Sequence, residues 1–183
     1  MTADSLEASL RGAIRDIPDF PKPGILFKDI TPVLLDPLLF DRTLDALTEW
    51  AAGLGAQKIA GVDARGFLFA APVANRLGLG LIPIRKLGKL PFQTRRESYD
   101  LEYGVNTLEM HADAVAGGER VVVIDDLLAT GGTTRAAVRL AEALGGTIAG
   151  LGFVVELGFL GGRALLEGYP IRALITFDGP GSS

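Results

Sequence analysis

Runs of branched apolar residues punctuate the chain at Lys58 to Val62, Leu81 to Arg85, Val121 to Ile124, Thr147 to Glu156 and Ala173 to Phe177, and helical patterns lie between them. This alternation predicts an α/β fold, a mainly parallel twisted sheet flanked by helices. From Thr133 to Leu144, residues Ala137, Val138, Ala141 and Leu144 form one apolar helical face, with Arg135, Arg139 and Glu142 elsewhere around the axis. Gly145-Gly146 then ends that helix. A second helix is predicted over Pro37 to Leu54, with Asp36 as N-cap and Pro37 at the first position, where its missing N–H costs nothing. A third covers Phe67 to Leu77, with Pro72 kinking it or delaying its start.

Two segments break the pattern. Asp19 to Pro32 (DFPKPGILFKDITP) is too rich in proline for regular structure, yet Ile25, Leu26 and Phe27 give it reason to fold over something. Lys86 to Met110 holds a polar stretch, Gln93 to Asp100, and then the strand-like alternation of Tyr103 to Met110. It reads as a long mobile loop or hairpin set into the sheet. Gly179 to Ser183 reads as a loose tail.

Composition narrows the partners. The chain has 183 residues, 48% hydrophobic and 22% charged, which suits one folded domain with one core. A formal charge of −4 gives no broad basic field, so neither nucleic acid nor a membrane surface is an expected partner, and a bound anion must be held locally. No leader pattern and no long apolar span is present, and the absence of cysteine excludes disulfides and thiolate metal sites. The expectation is a soluble protein of the cytoplasm.

The chemistry concentrates in VVVIDDLLATGGTT, Val121 to Thr134. Asp125 and Asp126 directly follow the apolar run, at the carboxyl end of a strand, where ligands of open parallel sheets collect. Ala129, Thr130, Gly131, Gly132 and Thr133 then lead into a helix whose first N–H groups lack internal partners and whose dipole favours an anion. The loop lacks the lysine and the length of a Walker loop, and no G-x-G-x-x-G precedes a downstream acid. One phosphate fits such a loop, and the adjacent carboxylates can accept hydrogen bonds from ribose hydroxyls. A 5-phosphoribosyl group would use both.

This segment resembles the phosphoribosyl-diphosphate signature of the type I phosphoribosyltransferases, in wording similar to the members that take adenine. FPKPGILFKDITP, GVDARGFLFAAPVA, RKLGKLP and SYDLEYG resemble further stretches of that family in the same order, from about Asp19 to Leu157. The resemblance implies transfer of the 5-phosphoribosyl group from 5-phosphoribosyl 1-diphosphate to adenine, giving AMP and diphosphate. The same chemistry on xanthine, hypoxanthine or orotate is the alternative within enzymes, and a nucleotide-binding regulator the alternative outside them. Mg²⁺ is the expected cofactor, held by diphosphate, ribose and water oxygens.

Residue roles follow from that resemblance together with side-chain chemistry. Arg65 can grip diphosphate with paired hydrogen bonds, and the Asp63, Ala64, Arg65, Gly66 loop is expected to contain a strained peptide. Arg85, Lys86 and Lys89 form a basic cluster suited to the leaving group, in a segment that the family extends into a partner subunit, implying a homodimer. Glu102 is the implied proton-transfer group, with Tyr103 beside it on the mobile loop. Phe27 is the candidate for stacking on the base, Leu26 and Lys28 contribute through main chain, and Leu157 lines the same pocket. Residues 1–34 would form an N-terminal hood and 86–110 the catalytic loop. His111, Trp50, Phe67 and Phe69 read as structural.

Overall fold

The computed structural model describes residues 3–100 and 105–179. In chain order the elements are α1 (Ala3–Ala13), β1 (Arg15–Pro18), β2 (Leu26–Asp29), α2 (Thr31–Leu35), α3 (Pro37–Gly53), β3 (Lys58–Val62), α4 (Gly66–Leu77), β4 (Gly80–Lys86), β5 (Thr94–Asp100), β6 (Val105–His111), β7 (Arg120–Leu128), α5 (Gly132–Ala143), β8 (Thr147–Leu157), two short 3₁₀ turns (Gly158–Leu160 and Gly162–Leu166) and β9 (Ile171–Phe177). The main sheet runs β5-β6-β4-β3-β7-β8-β9, and β1 pairs with β2 in a separate two-stranded sheet. Strands β4, β3, β7, β8 and β9 are parallel neighbours, while β6 joins β4, and β5 joins β6, antiparallel.

The apolar runs become central strands because both faces of the sheet are covered. On β7, Val122 and Ile124 join the cluster under α1, α3 and α4, whereas Val121 and Val123 join the one under α5. Asp36 caps α3 as the sequence predicts, its carboxylate accepting the N–H groups of Leu38 and Leu39 at 3.0 and 3.1 Å. Trp50 packs flat ground on β8: a side chain at Gly150 would stand 2.8 Å from the indole, so glycine there makes room for the ring.

Three expectations are revised or narrowed. Helix α4 starts at Gly66 with Pro72 inside it, so the proline does not delay the start. Leu26 to Asp29 form a regular strand despite the flanking prolines, because β1 supplies a register-matched antiparallel partner, Pro18 opposite Leu26 and Arg15 opposite Asp29. Of the loop and the hairpin that the sequence allows over 86–110, the polar stretch before Asp100 takes the second, as strand β5. As the sheet's edge it needs no second apolar neighbour, and it is tied to α5 by Arg139 to Glu97 at 2.9 Å. With β6 it makes the expected hairpin, placed at the edge of the sheet.

Candidate active site

The carboxyl ends of β3 and β7 open into a cavity of about 460 Å³. Its wall brings together Asp63, Ala64 and Arg65 after β3, Asp125 and Asp126 at the end of β7, the loop Ala129 to Thr133, and Lys86 from β4. These are all residues singled out from sequence. Leu26, Phe27, Lys28, Arg85, Lys89 and Leu157 do not line it, and Glu102 and Tyr103 lie outside the described residues.

Parallel strands deliver two loops side by side here. Gly61 on β3 pairs with Ile124 on β7, so the residues that follow them emerge together. The Asp63–Ala64 peptide bond is cis. Arg65 then reaches across, its Nε donating to Asp126 Oδ2 at 2.5 Å, while its guanidinium carbon lies 5.4 Å from the centre of the Phe27 ring. Phe27 therefore borders the cavity through Arg65, and its ring meets Phe20 edge-on at 5.2 Å. Lys28 turns the other way: its buried ammonium pairs with Asp16 at 2.6 Å and sits 3.9 Å over the Phe177 ring. Only its main chain is available on the Phe27 side. Leu157 ends β8 opposite Phe177 on β9, whose ring the Lys28 ammonium overlies.

The two aspartates differ. The side chain of Asp126 is 7% exposed and its charge is met by Arg65. Burial pushes the Asp125 carboxyl well above the usual carboxylate range, and the neighbouring Asp126 charge adds to the rise. Its Oδ1 accepts the Asp126 N–H at 2.9 Å. Gly66 makes the close approach of α4 to this carboxyl sterically feasible, since a Cβ there would stand 2.7 Å from Asp125 Oδ1.

The phosphate-like cradle is built from backbone. Gly131 precedes α5 at φ 87°, and no side chain caps the helix, so its first amides remain for an anion. A side chain at Gly131 would come within 2.6 Å of the Gly162 carbonyl, and one at Gly162 would strike the Ala129 carbonyl. The turn after β8 thus underpins the loop. Buried Glu156 locks that turn through two 2.7 Å bonds from Arg163.

Sequence reasoning missed Asn106 from the hairpin and Leu127 from β7, which line the cavity, as does Tyr99. The Thr133 hydroxyl donates to the Tyr99 phenol at 3.0 Å, joining hairpin to cradle. Arg85 bonds to Asp63 at 3.3 Å and to the Lys89 carbonyl at 3.1 Å, so it supports the loops around the cavity. The alternation Tyr103 to Met110 was the one signal that could have placed Asn106 on the side of the hairpin facing the site.

The carboxylates facing the cavity can meet a hard cation through oxygen or water, and among the described residues no group of three or more potential ligands gathers into a metal site. Mg²⁺ fits this wall if most of its oxygens come from a phosphorylated ligand and water. Among the described residues, no helix is long and apolar enough to cross a membrane.

Residues 39–158 match the phosphoribosyl transferase domain family. The chain is 58% identical over 163 residues to an adenine phosphoribosyltransferase of Thermobifida fusca, covering 89% of this chain and 93% of that one. It superposes on the crystal structure of adenine phosphoribosyltransferase from Thermoanaerobacter pseudethanolicus with a TM-score of 0.90 at 51% identity, covering 96% of this chain and 100% of that one. A Saccharomyces cerevisiae adenine phosphoribosyltransferase, complexed with D-2,5-dideoxy-2,5-imino-altritol 1,6-bisphosphate and adenine, superposes with a TM-score of 0.89 at 37% identity, covering 93% and 99% of the two chains.

Proposed function

The chain belongs to the phosphoribosyltransferase family and, within it, to the adenine phosphoribosyltransferases, and from that premise we infer that it transfers the 5-phosphoribosyl group of 5-phosphoribosyl 1-diphosphate to adenine, releasing AMP and diphosphate in purine salvage. The observation that carries the reading is the juxtaposition of the uncapped α5 amides with the Asp125, Asp126 pair in one cavity.

The reaction breaks the bond from the anomeric carbon to the diphosphate oxygen, forms a bond from that carbon to a purine nitrogen, and removes the proton that nitrogen carried. Residues Ala129 to Thr133 hold the 5′-phosphate through main-chain N–H groups and threonine hydroxyls. Asp125 and Asp126 accept from the ribose hydroxyls and offset cationic charge at the anomeric carbon as the leaving bond stretches. Arg65 offers further N–H groups beyond the Nε already given to Asp126, and Lys86 and Lys89 add positive charge for the diphosphate. Phe27 stacks on the purine beside Arg65, Leu26 and Lys28 present main-chain groups to its edge, and Leu157 closes the pocket from β8. Glu102, with Tyr103 beside it, takes the purine proton. Mg²⁺ supplies charge neutralisation for the diphosphate when bound. The family's arrangement supports a homodimer, and the cysteine-free composition suits the cytoplasm.

A panel of adenine, hypoxanthine, xanthine and orotate with 5-phosphoribosyl 1-diphosphate, read by diphosphate release, tests the assignment. Adenine is expected to be the strongly preferred base. No diphosphate release with adenine would overturn it.

A further inference from the structure

Glu109 is a buried carboxylate that the transfer chemistry leaves unused. It lies on β6, 1% exposed, opposite Arg85 of β4 and Arg96 of β5. Its Oε1 accepts the main-chain N–H groups of Lys89 and Leu90, both at 2.9 Å, and its Oε2 accepts the Thr94 hydroxyl at 3.3 Å. The Arg96 guanidinium stands further off at 3.7 Å. Burial works to raise the Glu109 carboxyl, but the Leu90, Lys89 and Thr94 hydrogen bonds outweigh it and hold the group below its ordinary range. It is therefore ionised at neutral pH.

The shortest contacts run to amides, not to the flanking arginines, which separates a role in shaping backbone from simple charge balance in a sheet. Arg85 takes the same peptide from its other end, donating to the Lys89 carbonyl at 3.1 Å and to Asp63 at 3.3 Å. Both polar groups of Lys89's main chain are thus gripped, and the grip continues into the loop that carries Arg65. Backbone bonds close the turn, from the Leu87 N–H to the Thr107 carbonyl at 3.0 Å and from the Lys89 N–H to the Lys86 carbonyl at 3.3 Å, but no packed side chain steadies it: Lys86, Leu87, Gly88 and Lys89 are all exposed, and Gly88 has φ 81°.

We propose that Glu109 is a positioning residue for diphosphate binding, holding the Lys86 to Leu90 turn so that its two ammonium groups face the leaving group. This rests on the phosphoribosyl-transfer reading. The test is Glu109→Gln in the full chain, which keeps shape and an acceptor oxygen but removes the charge. KM for 5-phosphoribosyl 1-diphosphate is expected to rise about fivefold to twentyfold, the scale of a weakened charge-assisted hydrogen-bond set, with KM for adenine within about twofold of wild type. A carboxylate that served only the fold would lower Tm without separating the two substrates, so equal changes in both KM values, or none, overturn the proposal. If Glu109→Gln does not fold, Thr94→Val removes one donor from the same carboxylate and must raise the same KM by about twofold to threefold, and an unchanged value overturns the proposal equally. Wild type is the control: no AMP formation there would sink the assigned reaction, whereas an active wild type with unmoved variants sinks this inference alone.

Discussion

Arg65 and Asp126 stand 61 positions apart in the chain and meet at 2.5 Å in the wall of the cavity. The pair holds a half-exposed cation against a nearly buried anion, so removing either charge exposes the other to the cost of an unpaired site. Asp126→Asn is expected to lower kcat by about a hundredfold, the loss typical of one preorganised electrostatic group. Steady-state kinetics check this, and normal turnover would contradict the assigned role.

Asp125 works against the fold as pH rises. Its folded-state carboxyl is raised, so the fold loses stability as pH climbs from the ordinary value of 3.8 through the raised one. Asp125→Asn removes that cost while keeping an oxygen for the Asp126 N–H. At neutral pH its Tm should exceed that of wild type, by roughly 2–4 °C for each kcal/mol relieved, and the gap should close in acid. Turnover should fall at the same time, a trade expected where a site stores unfavourable charge. Calorimetry across pH beside an activity assay measures both.

Much of this was legible beforehand. The apolar runs announced β3, β7 and β8 because strands covered on both faces cannot alternate, β4 showed itself by Ile82 and Ile84 at period two, and Asp36-Pro37 announced the start of α3. Helix α1 has only Leu6, Leu10 and Ile14 at helical spacing to mark it, with Leu10 fully buried. Strand β5 could not be read from Gln93 to Asp100, since an edge strand takes its order from hydrogen bonds to β6 and not from apolar side chains. The site's supports were equally hidden: Glu109 under Lys89, Arg163 on Glu156 and Tyr99 on Thr133 are pairings made by tertiary approach, with no local motif to mark them.

The cradle depends on two backbones in contact. Gly131→Ala would place a methyl 2.6 Å from the Gly162 carbonyl at a φ of 87°, which side chains rarely adopt. KM for 5-phosphoribosyl 1-diphosphate should rise at least about tenfold, and stability should fall by about 1–3 kcal/mol from overpacking. Gly12→Ala, in α1 with open space around it, is the matched control and should leave KM unchanged and stability no lower than wild type.

Phe27 tests the base side independently. Phe27→Ala removes a stacking face worth about 1–3 kcal/mol per base, so KM for adenine should rise by about 5- to 160-fold. KM for 5-phosphoribosyl 1-diphosphate should move far less, because the ring reaches the cavity only past Arg65. Equal effects on both substrates would place the purine elsewhere.

The most direct measurement is a crystal structure with AMP bound. The account predicts the 5′-phosphate within hydrogen-bonding distance of the main-chain N–H groups of Thr130 to Thr133, with the ribose hydroxyls on Asp125 and Asp126. A nucleotide seated away from that loop, with those amides still facing solvent, would contradict it.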